Sequence, residues 1–179
     1  RFTITDKLGS GSNGNVMLGH DPVIDRPVAI KILNNPGAAS DKKQREQQFI
    51  NEARAAGRLS HPNIVTIYDA STEGNTTFIA MEFLQGKDLR ELMSNGKRFD
   101  VIEAASIGYK VANALAFAHN QGVIHRDIKP ANIFLVGDNQ PKVVDFGIAR
   151  VPNRAVDADG QPQTLFKNNL MGTPNYMSP

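Results

Sequence analysis

His125-Arg126-Asp127-Ile128-Lys129-Pro130-Ala131-Asn132 runs into an apolar stretch at 133–136, and a second apolar stretch, 141–144, runs into Asp145-Phe146-Gly147. The two apolar stretches flank Gly137-Asp138-Asn139-Gln140 and read as a β-hairpin. If those four residues form the loop, Val136 faces Pro141, Ile133 faces Val144, and Asn132 faces Asp145 at the open end. Directly opposed residues carry Cβ atoms about 5 Å apart, close enough for an amide and a carboxylate oxygen to share a hard divalent cation. The spacing therefore predicts a Mg²⁺ site at Asn132 and Asp145. Asp127 and Lys129 add a second carboxylate and a cation to the same loop, and a carboxylate beside a metal-bound phosphate can accept a proton from an incoming hydroxyl. A polar loop with an Asx-turn and a surface ion pair accounts for any one of these residues, but not for the set.

Working outward, Asp100 with Glu103 carries a capping signature ahead of a long helix, in which Ala104, Gly108, Val111, Leu115 and Ala118 form the expected buried face until Gly122 stops it. Residues 123–124 read as a short apolar strand. Asp88 with Glu91 repeats the signature before a short helix closed by Gly96. The first third is strand-like, with strands expected at 2–9, 15–20, 26–33, 64–70 and 76–82, the last two joined across Glu73-Gly74-Asn75. A helix opening at Asp41, with Gln44 in capping position, buries Phe49, Ala53 and Ala56 and sets Glu52 beside that stripe. Five strands and one helix make a small α+β unit ahead of a helical middle. After Gly147 periodicity is lost, and 152–162 reads as a long loop.

Gly9-Ser10-Gly11-Ser12-Asn13-Gly14 fits a dinucleotide fold, a phosphate-covering hairpin or a flexible turn. A dinucleotide site needs a helix to begin at these glycines, whereas Asn15-Val16-Met17-Leu18-Gly19-His20 leads directly to Asp21-Pro22. A Walker A loop would place Lys where Asn15 stands. The remaining picture is a hairpin whose bare N–H groups approach phosphates. Within Val28-Ala29-Ile30-Lys31-Ile32, Lys31 alternates onto the face of Ala29, either snorkelling from an edge or paired, and Glu52 is the expected partner.

With 20 Lys+Arg against 18 Asp+Glu among 179 residues, a net charge of +2 gives no field built to capture a polyanion, so nucleic acid is not an expected partner. Hydrophobic residues at 40% suffice for a packed core. The absence of Cys excludes disulfides, Cys-ligated metals and thiol nucleophiles. No apolar run of about 18 residues suggests a membrane span, and no membrane contact is expected within the segment.

These motifs, in this order, resemble the eukaryotic-type protein kinase family across the whole chain: Gly9-x-Gly11-x-x-Gly14-x-Val16, Val28-Ala29-Ile30-Lys31, Glu52, His125-Arg126-Asp127 with Asn132, and Asp145-Phe146-Gly147. The resemblance implies a two-lobed fold, with an amino-terminal lobe and hinge at 1–84 and an incomplete, mainly helical second lobe at 85–179. It implies ATP and Mg²⁺ as cofactors. The glycine loop from Leu8 through Ser10, Ser12, Asn13 and Asn15 to Val16 would cover ATP, Lys31 would hold the α- and β-phosphates with Glu52 steadying it, Asp127 would orient the acceptor hydroxyl, and Asn132 and Asp145 would hold the metal. Met81 resembles the residue at the back of the adenine pocket, followed by the connector Glu82-Phe83-Leu84; Leu8, Val16, Ala29 and Phe134 would sandwich the ring. Asp88 matches the ribose-contact position, with helix capping as the alternative.

Lys129 before Pro130 resembles the serine/threonine branch, in which this lysine reaches the transferred phosphate, and Gly172-Thr173-Pro174 resembles the substrate-receiving segment, with Thr173 bridging to Asp127. The expected partner is a protein substrate with a Ser or Thr acceptor. The style of Glu52-Ala53-Arg54 and His61-Pro62-Asn63-Ile64-Val65 is most similar to bacterial members. Arg126 suggests control by loop phosphorylation, with Thr164 the expected acceptor and a dimer as one arrangement for autophosphorylation. A non-catalytic nucleotide-binding module and a small-molecule kinase are the other classes. Lys31, Asp127, Asn132 and Asp145 are all present, which disfavours the first; the segment 172–179 disfavours the second. The resemblance further implies a cytoplasmic domain and, since Met177-Ser178-Pro179 stops where the family continues into further helices, a partial one with little activity expected of the piece by itself.

Overall fold

Val28-Ala29-Ile30 is an apolar run with two β-branched members, the composition of a strand covered on both faces, and in the computed structural model all three are buried within β3 (Arg26–Leu33). The structure describes residues 1–11, 14–33, 39–146 and 173–176. β3 is central to a five-stranded antiparallel sheet formed with β1 (Thr3–Gly11), β2 (Gly14–Asp21), β4 (Ile67–Glu73) and β5 (Thr76–Glu82), in the order β1-β2-β3-β5-β4. One face packs Val28 and Ile30 against Phe78 and Ala80, with Phe2, Met17 and Tyr68 around them. Ala29 faces the other way, toward Met81 and Val65. On that side α1 (Ala39–Ala56) lays Phe49 and Ala53 over Ile79, the residue directly opposite Lys31 in the β3–β5 register. The helix starts ahead of Asp41, which falls within its first turn.

The remaining helices follow their caps. Asp88 accepts the Glu91 N–H at 2.9 Å and starts α2 (Leu89–Ser94), with Gly96 at φ 83° just beyond its end. Asp100 and Glu103 form a reciprocal capping box at the start of α3 (Val101–Asn120), and Gly122 at φ 75° turns the chain out of it. The buried stripe of α3 is Ile107, Val111, Ala114 and Ala118. Ala104 and Gly108, expected inside, are exposed, and Leu115 is half-buried. The helix turns its larger side chain, Ile107, into a core shared with Ile64, Leu135 and Val143, which leaves Ala104 and Gly108 facing outward. Residues 123–124 form no strand: Val123 is buried while Ile124 is half exposed.

A second sheet joins β6 (Gly86–Asp88), β7 (Ile133–Val136) and β8 (Gln140–Val143) in that order, β6 being a strand the sequence did not announce. The β7–β8 register corrects the expected hairpin by one residue. Val136 faces Gln140, Leu135 faces Pro141 and Ile133 faces Val143. Gly137 at φ 50° and Asn139 at φ 55° tighten the turn enough for Gln140 to join the strand. Asn132 thus lies beside Val144, whose N–H it accepts at 3.0 Å, and Asp145 stands one position further on at φ 51°. Likewise 64–65, expected to begin β4, pair elsewhere: Ile64 bridges Val143 in parallel, and Val65 N donates to Val143 O at 3.0 Å.

Candidate active site

The 3-10 turn Pro130–Asn132 ends the loop that carries Asp127, and the locally fixed backbone of Pro130 sets its bend. Both carboxylate oxygens of Asp127 are engaged. Oδ1 accepts the Thr173 hydroxyl at 2.7 Å; Oδ2 pairs with Lys129 Nζ at 2.8 Å and accepts Asn132 Nδ2 at 3.3 Å. Lys129 Nζ also donates to Thr173 Oγ1 at 2.9 Å, which closes a ring of carboxylate, ammonium and hydroxyl. Burial by itself would raise the Asp127 carboxyl, but hydrogen bonds from Lys129, Thr173 and Asn132, together with the Lys129 charge, hold it below the ordinary aspartate value. It is therefore an ionised acceptor at neutral pH. The expected Thr173–Asp127 bridge is present in this geometry, and Pro174 opens the 3-10 turn Pro174–Tyr176 immediately after it.

His125 supports this loop from below. It is 1% exposed; Nδ1 accepts the Asp127 N–H at 3.2 Å and Nε2 lies 3.0 Å from Val144 O. A ring that accepts at Nδ1 and faces a carbonyl at Nε2 carries its one proton on Nε2. Burial, outweighing the Val144 carbonyl and the Asp145 and Asp127 charges, pushes its pKa down and keeps it neutral. The ring also packs against Phe146 with centroids 4.8 Å apart. One histidine thus joins the backbones of residues 127 and 144 and the side chain of residue 146.

Asn132 is buried and gives its Nδ2 to Asp127 O at 2.8 Å, which directs its amide oxygen away from that contact. Asp145 Oδ1 receives Lys31 Nζ at 2.7 Å. Lys31 thus has an ion pair with Asp145 that the sequence did not anticipate. Lys31 leaves β3 on the face α1 covers, and it meets Asp145 just after the end of β8. Glu52 is half-buried on α1 and makes interactions of its own. Arg126 is half-buried at φ 65°, next to Asp127.

The described residues of the glycine stretch end β1 and begin β2. Gly9 faces Val16, Ser10 faces Asn15 and Gly11 faces Gly14. Because strand β2 and no helix follows, a dinucleotide-type phosphate site is excluded here. Gly14, at φ 147°, passes so close to Ile32 that a Cβ would stand 2.0 Å from its carbonyl oxygen, so only glycine fits. Val16, Ala29, Met81 and Leu84 gather with Val65 and Val144 into an apolar cluster between the sheets. Leu8 is exposed on β1, and Phe134 lies half-buried on β7 opposite Asp88. Asp88 acts as the α2 cap. Ser12, Asn13, Gly147, Thr164 and Gly172 lie outside the described residues.

Three contributors escaped the candidate set. His125 was read only as motif context, yet it makes the contacts above. Asn63, 9% exposed, donates Nδ2 to Pro141 O at 2.7 Å and accepts Val143 N at its carbonyl. Lys142 pairs with Glu82 at 2.8 Å. The available signal for Lys142 was a charged residue in a short apolar strand.

Comparisons with known proteins agree with this arrangement. The sequence model described as the protein kinase domain matches residues 2–179. A probable serine/threonine-protein kinase of Clostridium acetobutylicum is 34% identical over 179 residues, covering 100% of this chain and 26% of the relative. The probable serine/threonine-protein kinase PknB of Corynebacterium glutamicum is 39% identical over 183 residues, covering 100% and 27%. Serine/threonine-protein kinase PrkC of Bacillus subtilis is 37% identical over 179 residues, covering 100% and 26%. The chain spans about a quarter of the length of these curated relatives. Among solved structures, the kinase domain of Mycobacterium tuberculosis PknI superposes with a TM-score of 0.70 at 32% identity, over 83% of this chain and 59% of that one.

Proposed function

The chain belongs to the protein kinase domain family, and from that premise we propose that it transfers the γ-phosphate of ATP to Ser or Thr hydroxyls of protein substrates. The observation that carries the reading is the Asp127 carboxylate, ionised and already holding one hydroxyl, that of Thr173, at 2.7 Å. An acceptor Ser or Thr presented at the same place gives its proton to Asp127 as its oxygen bonds to the γ-phosphorus, and the bond from that phosphorus to the β–γ bridging oxygen breaks, leaving ADP. Lys129 stands beside both partners, where its charge offsets that on the transferred group. Lys31 supplies the cation for the other phosphates, the Gly9–Gly14 turn covers them, and Ala29, Val16, Leu84 and Phe134 clasp the adenine against the hinge. Asp88 caps α2 in this structure and stands at the edge of the proposed ribose site. Glu52 serves in support of Lys31 from α1.

The donor set fits Mg²⁺. The amide oxygen of Asn132 and the carboxylate of Asp145 are hard oxygen ligands, and they follow one another across the open end of the β7–β8 hairpin. When bound there, the ion would offset phosphate charge and orient the triphosphate. The loop around Thr164, with Arg126 as its phosphate-binding partner, provides regulation by phosphorylation, in a dimer when the transfer occurs between two chains. No helix among the described residues is long and apolar enough to cross a membrane. The reaction is assigned to the cytoplasm because its phosphate donor is ATP.

Transfer of radiolabelled γ-phosphate from ATP to a basic protein tests the reading, with the intact protein as enzyme. Asp127→Asn is expected to lower turnover by about 10²–10⁴-fold while leaving ADP binding in place. ADP binding with no transfer by the unsubstituted protein would refute catalysis and favour a non-catalytic module.

A further inference from the structure

Glu82 ends β5 in the first sheet, and Lys142 lies in the middle of β8 in the second. Their side chains meet at 2.8 Å with the carboxylate 26% and the ammonium 17% exposed. The same oxygen, Glu82 Oε2, accepts Thr66 N at 3.2 Å, and Glu82 N donates to Thr66 O at 2.9 Å. Glu82 is thereby tied by backbone to the segment that precedes β4 and by charge to β8.

The register shows where this tie lies. Asp88 faces Phe134 across β6–β7, and Phe134 faces Lys142 across β7–β8. Directly opposed residues share a face of the sheet. The neighbouring row, with Leu135 facing Pro141, is buried on the opposite side. Lys142 is thus beside Phe134, on the face turned toward the end of β5. Val144, two positions along, keeps to that face and packs with Ala29, Met81 and Leu84. A half-buried ammonium and carboxylate contribute little net stability compared with apolar side chains of the same size. What the pair does fix is the distance between the end of β5 and the sheet below it.

We propose that Lys142 is a positioning residue for nucleotide binding. Acting through Glu82, it holds the backbone of residues 82–84 at a set height over Phe134, so that the edge of the purine meets the N–H and C=O groups of that segment. It touches neither phosphate nor acceptor. The proposal rests on the reading of the site as an ATP site, and it assigns nucleotide affinity and purine choice, but not the chemical step, to a residue on β8.

The test uses the intact protein, with ADP binding by calorimetry and with KM, kcat and the ATP-over-GTP preference from phosphate transfer. Lys142→Met and Glu82→Gln are each expected to raise the Kd for ADP and the KM for ATP about 3- to 10-fold. They should reduce the preference for ATP over GTP and leave kcat within about twofold, because the acceptor and its base are untouched. The double variant should be no weaker than the worse single variant, since both remove one interaction. Lys142→Arg should restore most of the affinity. Unchanged Kd in both single variants, additive losses in the double variant, or a raised kcat at unchanged Kd would each overturn the proposal. If Lys142→Met proves too unstable to assay, the exchanged pair Glu82→Lys with Lys142→Glu is read in its place, with recovered affinity supporting the proposal and absent recovery overturning it. Unsubstituted protein that binds no ADP would overturn the functional reading and this inference together; normal binding with indifferent variants overturns the inference alone.

Discussion

Replacing His125 by Phe keeps an aromatic ring against Phe146 and removes both ring nitrogens. The Val144 carbonyl loses its partner at 3.0 Å, and the Asp127 N–H loses its acceptor at 3.2 Å. Each buried polar group left unpartnered costs about 1–3 kcal/mol, so the two together cost about 2–6. Asp127 is only half-buried and its N–H can turn to water, which places the expected loss in the lower half, about 2–4 kcal/mol. A loss of that size is a large share of the roughly 5–15 kcal/mol that holds a domain folded, and urea unfolding at pH 8 resolves it readily. A second signature separates titration from packing. The folded-state pKa of His125 lies below its ordinary value of 6.5, so between the two the unfolded chain binds more protons than the folded one. The His125 contribution is therefore complete above 6.5 and is lost as pH falls toward the folded-state pKa, with a slope of at most about 1.4 kcal/mol per pH unit. His125→Phe lacks this component, and the stability gap between it and the unsubstituted protein should narrow as pH falls from 8 to 5. A gap that stays constant over that range, or a variant as stable as its parent at pH 8, would refute the neutral, doubly bonded histidine.

Lys129→Met removes the ammonium that pairs with Asp127 and the donor to Thr173, so the Asp127 pKa should move up; the acid limb of kcat/KM then shifts to higher pH, and an unmoved limb would separate Lys129 from the protonation of the base. Asn63→Ala leaves the Pro141 carbonyl without its 2.7 Å donor in a buried setting; a loss of about 1–3 kcal/mol is expected in thermal or urea unfolding, and a loss under about 0.5 would show that water replaces the amide.

Much of the fold was legible from local rules, although the cap expected at Asp41 falls within α1 and residues 123–124 form no strand. The caps at Asp88 and Asp100, the stop at Gly122 and the strand–turn–strand at Gly9–Gly14 each depend on residues a few positions apart, and each formed as its pattern implies. Other errors arose where the answer depended on partners distant in sequence. The β7–β8 register slipped by one because Asn139 takes a left-handed conformation usually left to glycine, with its side chain held by Glu103 of α3 at 3.1 Å. Nothing between 133 and 144 announces that contact. The inner face of α3 was set by the size of Ile107 against a core drawn from 64, 135 and 143. The Lys31–Asp145 contact likewise depends on where β8 ends.

β8 has that influence because its two sides belong to different parts of the molecule. Along one side it pairs with β7. On the other it meets the segment before β4: Asn63 Nδ2 to Pro141 O at 2.7 Å, Val143 N to Asn63 O at 2.8 Å, and Val65 N to Val143 O at 3.0 Å. Its continuation, Val144, gives its N–H to Asn132 O at 3.0 Å and its carbonyl to His125 Nε2 at 3.0 Å before the chain reaches Asp145. Asp145 thus leaves a backbone fixed on both sides, and its carboxylate can meet the cation on β3 only because 63–66 hold β8 against the first sheet. A rigid separation of the two sheets would have to break these buried hydrogen bonds, at a net cost of about 0.5–1.5 kcal/mol each. The connection through 83–85 lies outside any strand and is held by Leu84, which packs with Ala29, Met81 and Val65. The Glu82–Lys142 contact lies beside this seam, where β5 ends, and adds a charge contact to the hydrogen bonds that join the two sheets.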